Sequence, residues 1–598
     1  MAGAVDKIKS ARFRFTKEPL ACWWTDDAER ASLLISCADE DCKAQLSSIV
    51  AARDQALKLS RADDAETGLD LLELGMEPYP FQRAGIAYAM SRERVLFGDE
   101  PGLGKTLQAL ATIHFKKAYP CVAVVPASLK INWKKEALRI VPELRAEGAI
   151  RIVTGRFGEK NHCLAPNGDT SPIMLVVINY DILSGWLPSL QALKPKSLIA
   201  DESHFWKNEK AQRTVAGMTL ATGTKIIDKQ TIRVADPIPQ RYLLSGTALV
   251  NRPKELLPQL NVLGVTDTLF GNPWKYLMSY CGAKKERVPI AGRGMTYVWN
   301  FDGATNTEEL QRRLRSNIMI RRLKDDVMPE LPPKQHQCIE LACNGLRGLV
   351  DREDELERSF SRSKAELESV KEEAVNSGNQ ETFEIASAKL KKLYDAHFGE
   401  MAKLAHETAL AKLPKVLEFC LELLEGEEKI AIFAHHHDVE DALVDAFKKA
   451  EIKTVRFTGV ESAKQKDEAI TSFQDGDARV WIGGLKCSVG YTITAARRAV
   501  FAELDWTPGI MDQAIDRLHR IGQTDSVLAT YITLEDSLDS KKVGMLVDKR
   551  AVLRAVLDDK PKDYTIPEVA EPAKTDLPSC HVLSILDRLG LSVDRATF

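Results

Sequence analysis

The chain has 598 residues, 44% of them apolar and 28% charged, with a formal net charge of −3; this suggests about four domains with ample core and excludes disordered and fibrous classes. The near-neutral total excludes a uniformly basic coat, though a local basic groove remains compatible with it. The 11 cysteines contain no C-x-x-C pair, MAGAVDKIKS at the start lacks an apolar signal core, and no run of about eighteen apolar residues occurs, so zinc, disulfides, secretion and membrane spanning lack support and a reducing cytosol is expected.

In chain order, the first 75 residues read as a small separate unit carrying Trp23 and Trp24. Apolar Val95, Leu96 and Phe97 then lead into a glycine-rich loop and the helical pattern LQALATIHF. Between Tyr119 and Val215 the runs CVAVV (121–125), MLVVIN (174–179) and SLIA (197–200) alternate with helical patterns, the rhythm of a parallel sheet. Residues 219–240 interrupt this series with a polar, turn-rich stretch read as a surface hairpin without chemistry.

Residues 345–412, rich in Glu, Lys, Ala and Leu and free of proline, predict long charged helices turning at Asn376–Asn379. They form either a solvated protrusion or a surface for a partner helix. A second series of strand-like runs follows, with KIAIFA (429–434), TVRF (454–457), RVWIG (479–483), AVFAEL (499–504) and LATYITL (528–534). Two separate α/β lobes are therefore expected. A helix ending near Leu557 and an aperiodic tail close the chain, and no internal repeat of fixed period stands out.

GDEPGLGKT at 98–106 stands between an apolar strand and a helix, the context a phosphate-binding loop requires. Gly102, Leu103 and Gly104 would turn backbone N–H groups toward phosphates. Lys105 would reach the β- and γ-phosphates of ATP, and the Thr106 hydroxyl would bind Mg²⁺. Asp99 stands where the usual spacing has its first glycine, Pro101 has no evident reason, and for this fragment alone a glycine turn with a surface lysine stays open.

Asp201 and Glu202 follow apolar Leu198, Ile199 and Ala200, so their carboxylates are expected at the carboxyl edge of the sheet, where such folds bind ligands. Asp201 would hold Mg²⁺ and Glu202 would orient and activate water, although two acids here also suit the start of a solvated helix. Arg517 and Arg520, three apart in QAIDRLHRIGQ (513–523), are expected on one helix face. They would serve as arginine fingers from the opposite lobe or make a basic solvent face. Consecutive His435, His436 and His437 leave a strand toward opposite faces, which argues against a metal site.

These motifs occur in a set order, joined by YPFQRAG (79–85), VVPASLKINWKKE (124–136), VINYDIL (177–183), DESHFWKN (201–208), LLSGTALVNRPKEL (243–256), IMIRRLKDDVMPELPPK (318–334), IFAHH (432–436) and VFAELDWTPG (500–509). Together they resemble the Swi/Snf-type ATPases of helicase superfamily 2, over residues 78–545. DESHFWKN, YCGAKK (280–285), RRLKDDV, FAHH and FAELDW resemble the annealing-helicase (HARP-type) branch.

The resemblance implies an α/β fold of two RecA-like parallel-sheet lobes, with helical insertions and small terminal extensions, ATP between the lobes and duplex or forked DNA across both. The expected division is an accessory region at 1–75, the ATP-binding lobe at 76–265, helical protrusions and linker at 266–425, the second lobe at 426–545 and a tail at 546–598. It also implies that Gln82 reads the adenine edge, that Gly490 and Asp516 join the ATP site, and that Ser245, Gly246 and Thr247 couple that site to nucleic acid. DNA-backbone contacts are implied for Ser128, Lys130, Asn132, Trp133, Thr458, Gly459, Lys486 and Trp506.

LKCSVGYTITAA (485–496) matches the family's glycine-rich segment at Gly490 and Thr492 only. The first 75 residues show no HARP module, and RFRF with Trp23 and Trp24 reads equally as a worn DNA-guiding element or as core aromatics of a docking domain. The expected function is a DNA-dependent ATPase that translocates on double-stranded DNA and remodels or reanneals forks. Two other readings stand beside it, a strand-separating helicase on single-stranded DNA or RNA and a non-catalytic scaffold. Compactness hints at a prokaryotic or viral source and a cytoplasmic location, or a nuclear one if eukaryotic.

Overall fold

A computed structural model describes residues 14–16, 22–24, 31–32, 34–158, 164, 172–227, 230–246, 252–290, 294–343, 345–487 and 490–543. β1 (Arg14–Thr16) pairs antiparallel with β2 (Cys22–Trp24). The helix Glu40–Arg61 follows, its N-terminus capped by the Asp39 carboxylate, which accepts from Cys42 N at 2.7 Å. Ser60, at its far end, donates to Met319 O at 2.8 Å and fastens this accessory helix to the first lobe.

β3 (Arg94–Phe97), β4 (Cys121–Val125), β5 (Ile150–Ile152), β6 (Leu175–Asn179) and β7 (Ser197–Asp201) belong to the first sheet. β8 (Thr224–Ile227) and β9 (Gln230–Arg233) make the hairpin expected within 219–240, and β10 (Gln240–Leu244) returns to the sheet. β11 (Lys284–Ile290) and β12 (Gly294–Asn300) form another hairpin, after which β13 (Met319–Ile320) completes a seven-stranded order β13-β3-β10-β7-β4-β6-β5. Every neighbouring pair in it is parallel.

β14 (Lys334–Leu341), β15 (Ile430–Ala434), β16 (Thr454–Phe457), β17 (Val480–Gly484), β18 (Arg498–Phe501) and β19 (Val527–Leu534) form the second sheet, in the order β14-β19-β18-β15-β17-β16 and again all parallel. Parallel strands are covered on both faces, which is why the central ones read as unbroken apolar runs. In β4, Val122 and Val124 enter one core while Cys121, Ala123 and Val125 enter the other. β15 divides the same way, with Ala431 and Phe433 on one side and Ile430, Ile432 and Ala434 on the other.

The expectation for residues 266–425 needs correction. Residues 266–425 are not only helical, because they also hold β11 and β12 and give one strand to each sheet, β13 and β14. β13 is two residues long and β14 is mixed in polarity, so neither shows as an apolar run. β10 was also illegible as a strand, since it carries Arg241, which the fold buries by donating to the carbonyls of Ile238, Val262 and Leu263.

The charged segment forms the helices Arg347–Ser377 and Gln380–Gly426, joined through Gly378 and capped by Asn379, which accepts from Thr382 N at 3.1 Å. The second helix does not stay a protrusion. Leu413, Val416, Leu417, Cys420, Leu421 and Leu424 recur at helical spacing and bury into the core of the second lobe. Those residues are part of that lobe rather than linker. Among the described residues no helix is long and apolar enough to cross a membrane. The helix expected near Leu557, and Thr247, lie outside the described residues.

Candidate active site

β3 delivers the glycine-rich loop to the edge of the first sheet. Gly104 has φ +72° at the start of the helix Lys105–Phe115, and a Cβ there would stand 2.3 Å from Gln82 Nε2, so both the backbone angle and the space require glycine. The helix's first N–H groups therefore face the loop. Lys105 Nζ donates to the carbonyls of Asp99 (2.8 Å) and Glu100 (3.2 Å). Burial lowers its pKa against the pull of Glu202, Asp99 and Asp201. Thr106 is half-buried beside it.

Gln82 is buried, accepting from Tyr79 N at 3.0 Å and donating to Leu103 O at 3.2 Å. Its amide thus holds the loop in shape.

Asp99 is an anchor. It is fully buried and paired with Arg322, whose backbone N and Nε both donate to Oδ1 at 3.0 Å, while Gln108 Nε2 donates to Oδ2 at 3.0 Å. Burial alone would raise this carboxyl, but Arg322 and Gln108 hold it below the usual range. Pro101 now has a reason too, because it packs on Gly246, where an added Cβ would lie 2.6 Å from Pro101 Cδ. Arg321 NH1 donates to Gly98 O (2.7 Å) and Gly246 O (3.0 Å), tying the loop to the Ser245–Gly246 turn.

Arg321 and Arg322 were missed as site residues. The available signal was two adjacent arginines directly after the apolar Ile318-Met319-Ile320.

At the end of β7, Asp201 accepts from Trp133 Nε1 (2.8 Å) through Oδ2 and from Glu202 N (3.0 Å) through Oδ1. Burial, and then the neighbouring Glu202, push Asp201 up to about 6. Glu202 sits in the left-handed region at φ +53°, a strained position of the kind that persists at functional sites. Burial opposes its ionisation, yet His204, Lys105 and Arg517 hold it below the usual range. His204 Nδ1 lies 3.3 Å from Glu202 Oε2 and 3.2 Å from Ser245 Oγ, so the acids and the buried Ser245 share one contact chain.

Arg517 and Arg520 correct another expectation. The helix ends at Ile515, and both arginines lie in the tight turns that follow it rather than on a helix face. Arg517 Nε donates to Gln513 O at 3.1 Å, and Arg520 NH1 donates to Tyr491 O (3.1 Å) and Thr492 Oγ1 (2.8 Å). Arg520 crosses to the first lobe, where its Cγ would lie 3.2 Å from a Cβ placed on Gly102. Burial, with Arg517 beside it, lowers Arg520 to about 10.

The other two second-lobe residues expected at the ATP site are engaged elsewhere. Asp516 is buried against Lys324 (2.7 Å) and Lys334 (3.2 Å), an ion cluster between the lobes. Gly490, at φ +81°, abuts the first lobe so closely that a Cβ would meet Leu129 Cδ2 at 1.4 Å. Both sit at the contact between the lobes, Asp516 against the buried Lys324 and the half-buried Lys334, and Gly490 against Leu129.

The SNF2-related domain family matches residues 81–347, and the helicase conserved C-terminal domain family matches residues 411–522. The chain belongs to the Swi/Snf-type family of helicase superfamily 2. Two relatives of the Swi/Snf-type chain are similar over most of its length. One is a SWI/SNF-related matrix-associated actin-dependent regulator of chromatin subfamily A-like protein 1 from Xenopus laevis, 32% identical over 479 residues, covering 79% of this chain and 43% of the relative. Another is the DNA annealing helicase and endonuclease ZRANB3 from Homo sapiens, 32% identical over 511 residues, covering 83% and 42%.

This Swi/Snf-type chain thus spans less than half the length of either relative. Both are animal proteins, which lends no support to the expected prokaryotic or viral source. Among solved structures, a Sulfolobus solfataricus SWI2/SNF2 ATPase core in complex with dsDNA aligns at 18% identity, covering 83% of this chain and 99% of its own, with a TM-score of 0.36.

The residues that the Swi/Snf-type resemblance assigned to DNA divide into two groups. Trp133 is 2% exposed and commits its N–H to Asp201, so it supports the acid and does not reach a nucleic-acid backbone. Thr458 is buried with its hydroxyl donating to Glu461 Oε2 at 2.7 Å, and Lys130 Nζ donates to Val153 O and Asn179 Oδ1, both at 3.0 Å. Ser128, Gly459, Lys486 and Trp506 are exposed, and Asn132 is half-buried.

His435 N and His436 N donate to Glu503 Oε2 (2.7 and 2.9 Å), and His436 Nδ1 lies 2.6 Å from Glu503 Oε1. The Phe433–His436 and Phe501–Trp506 motifs therefore meet through Glu503, and β18 stops at Phe501 rather than running to Leu504.

Proposed function

We propose that the chain is a DNA-dependent ATPase that translocates along double-stranded DNA and remodels or reanneals structures such as forks. The observation carrying this reading is the approach of Arg520, from the second lobe, to Gly102 in the phosphate-binding loop of the first. A split site of this kind ties hydrolysis to lobe closure, and repeated closure is what a translocating motor needs.

The donor set fits ATP with Mg²⁺, since a loop of backbone N–H groups with a half-buried ammonium lies beside a hydroxyl and a carboxylate, the hard oxygens this ion takes. Gly102, Leu103, Gly104 and Lys105 would hold the phosphates, and Thr106 and Asp201 the metal. Gln82 would read the adenine edge with the hydrogen-bond capacity its amide keeps beyond Tyr79 N and Leu103 O. Mg²⁺, when bound, supplies positive charge to the phosphate oxygens. Glu202 would orient water and accept its proton. Arg517 and Arg520 would place guanidinium N–H groups where negative charge develops.

Ser128, Asn132, Gly459, Lys486 and Trp506 offer polar, basic and aromatic contacts for a DNA backbone, which would give sequence-independent, salt-sensitive binding. The name of the human relative supports annealing as one outcome of such motion. We place this work in a reducing compartment, the nucleus of a eukaryote or the cytoplasm of a prokaryote. ATP turnover with duplex, forked and single-stranded DNA and with RNA is the test. Duplex or forked DNA should stimulate most, and maximal stimulation by RNA would overturn the reading.

A further inference from the structure

The hairpin of β11 and β12 gathers cationic and aromatic side chains on one face. Its register pairs Lys285 with Trp299 and Arg287 with Tyr297. Residues two apart share a face, so these four side chains stand together. Lys285 Nζ lies 5.1 Å from the Trp299 ring centre and 5.6 Å from that of Tyr297. On the other face Glu286 is already engaged, accepting from Asn300 Nδ2 at 2.9 Å. Residues 284–300 carry Lys284, Lys285, Arg287 and Arg293 against that single acid.

Past the end of β12 the aromatic array continues. Trp274, from the helix Pro273–Tyr280, stands perpendicular to Trp299 (6.0 Å, 88°) and to Phe301 (5.4 Å, 86°). Phe301 is buried and anchors the array in the first lobe, whereas Trp274 is 51% and Tyr297 56% exposed. Strand β11 also packs against both long helices, which braces the hairpin. Large rings left in water on a braced ribbon mark a binding surface. Cations interleaved with them select an occupant that is both flat and anionic.

We propose that this face is a stacking platform for the unpaired bases of single-stranded DNA, with the exposed Tyr297 and Trp274 taking bases, the half-buried Trp299 bracing them, and Lys285 and Arg287 taking phosphates. The inference rests on the reading of the chain as a DNA motor and adds a contact for a strand not held as duplex. Such a surface tolerates any sequence, because every base has a flat face to stack. At a fork, it would hold one freed arm beside the cleft.

The test uses the full chain with three probes: a fluorescein-labelled oligothymidylate, a blunt duplex, and a fork with single-stranded arms. In Tyr297→Ala/Trp299→Ala, affinity for oligothymidylate and the advantage of fork over blunt duplex should both fall by tenfold or more, since each stacked base is worth roughly 5- to 150-fold. Turnover stimulated by blunt duplex should not change. Tyr297→Ser and Lys285→Glu, each at an exposed position, repeat the measurement without touching the packed ring.

Unchanged oligothymidylate and fork affinity, in variants that melt like wild type, would overturn the proposal and leave the face to a protein partner. A wild-type chain without any DNA-stimulated turnover would sink the motor reading instead, and the hairpin dependence of oligothymidylate binding would still be measurable.

Discussion

Lys324, just after β13, and Asp516, in the turn after the helix Pro508–Ile515, meet at 2.7 Å with side chains 3% and 4% exposed, so a buried ion pair joins the two lobes. Lys324 Nζ also donates to His519 O at 2.6 Å. Burial lowers Lys324 to about 8 while Asp516 opposes that shift. Burial would raise Asp516, but Lys324 and Lys334 together hold it far below the carboxylate range.

This pair should act as a latch. Hydrogen bonds to charged groups contribute about 1.5–3 kcal/mol, or roughly 10- to 150-fold in the equilibrium between joined and parted lobes. Lys324→Gln is therefore expected to reduce DNA-stimulated ATP turnover at least tenfold and to enlarge the radius of gyration in small-angle scattering. Wild-type values of both would exclude the latch.

At the nucleotide site, Lys105→Ala should abolish turnover. Arg520→Ala should lower it by about a thousandfold or more, the usual worth of an arginine finger, with duplex affinity nearly unchanged. Steady-state hydrolysis and duplex binding, measured on variants that melt like wild type, decide this. Normal turnover in either variant would discard the assigned roles.

Asp99 and Arg322 offer a test of stability. Breaking a buried pair by removing one partner costs about 3–5 kcal/mol, whereas replacing both by apolar residues costs much less. Asp99→Ala and Arg322→Met should each shift the urea midpoint of the first lobe sharply. The double variant Asp99→Leu/Arg322→Met should recover most of the loss, a non-additivity expected of contacting residues. Additive losses would mean that the two groups do not act as a pair.

His519 predicts a pH effect. Burial, and then Lys324 and Lys334, lower its pKa from 6.5 to about 4, while Nε2 is placed to donate to Pro332 O at 2.7 Å. With the folded value depressed, the unfolded chain binds more protons between those two values. Its contribution is therefore fully present above pH 6.5 and lost as the pH falls toward 4. Melting temperatures from pH 7 to pH 4 should drop less steeply in His519→Gln than in wild type, and parallel curves would exclude this role.

Much of the fold was legible locally. β4, β6, β7, β15 and β17 announced themselves because central strands covered on both faces are apolar almost throughout. The turn of the long helices was visible in Asn376–Asn379 for a similar reason, since turn-forming residues interrupt a helical pattern. β10, β13 and β14 were not legible, being polar or very short.

The sequence by itself determined the two parallel-sheet lobes, the glycine-rich loop with Lys105, and the acids at the end of β7. Each follows from residues adjacent in the chain, where period, glycine placement and strand ends carry the signal. Only the tertiary structure decided which charges pair. Asp99 finds Arg322 across 223 positions, Lys324 finds Asp516 across 192, and Trp133 turns from an expected DNA contact into the donor that holds Asp201 across 68. The reason is desolvation. A buried charge must be met by whichever partner the fold brings within hydrogen-bond reach, and no local period encodes which distant segment that is.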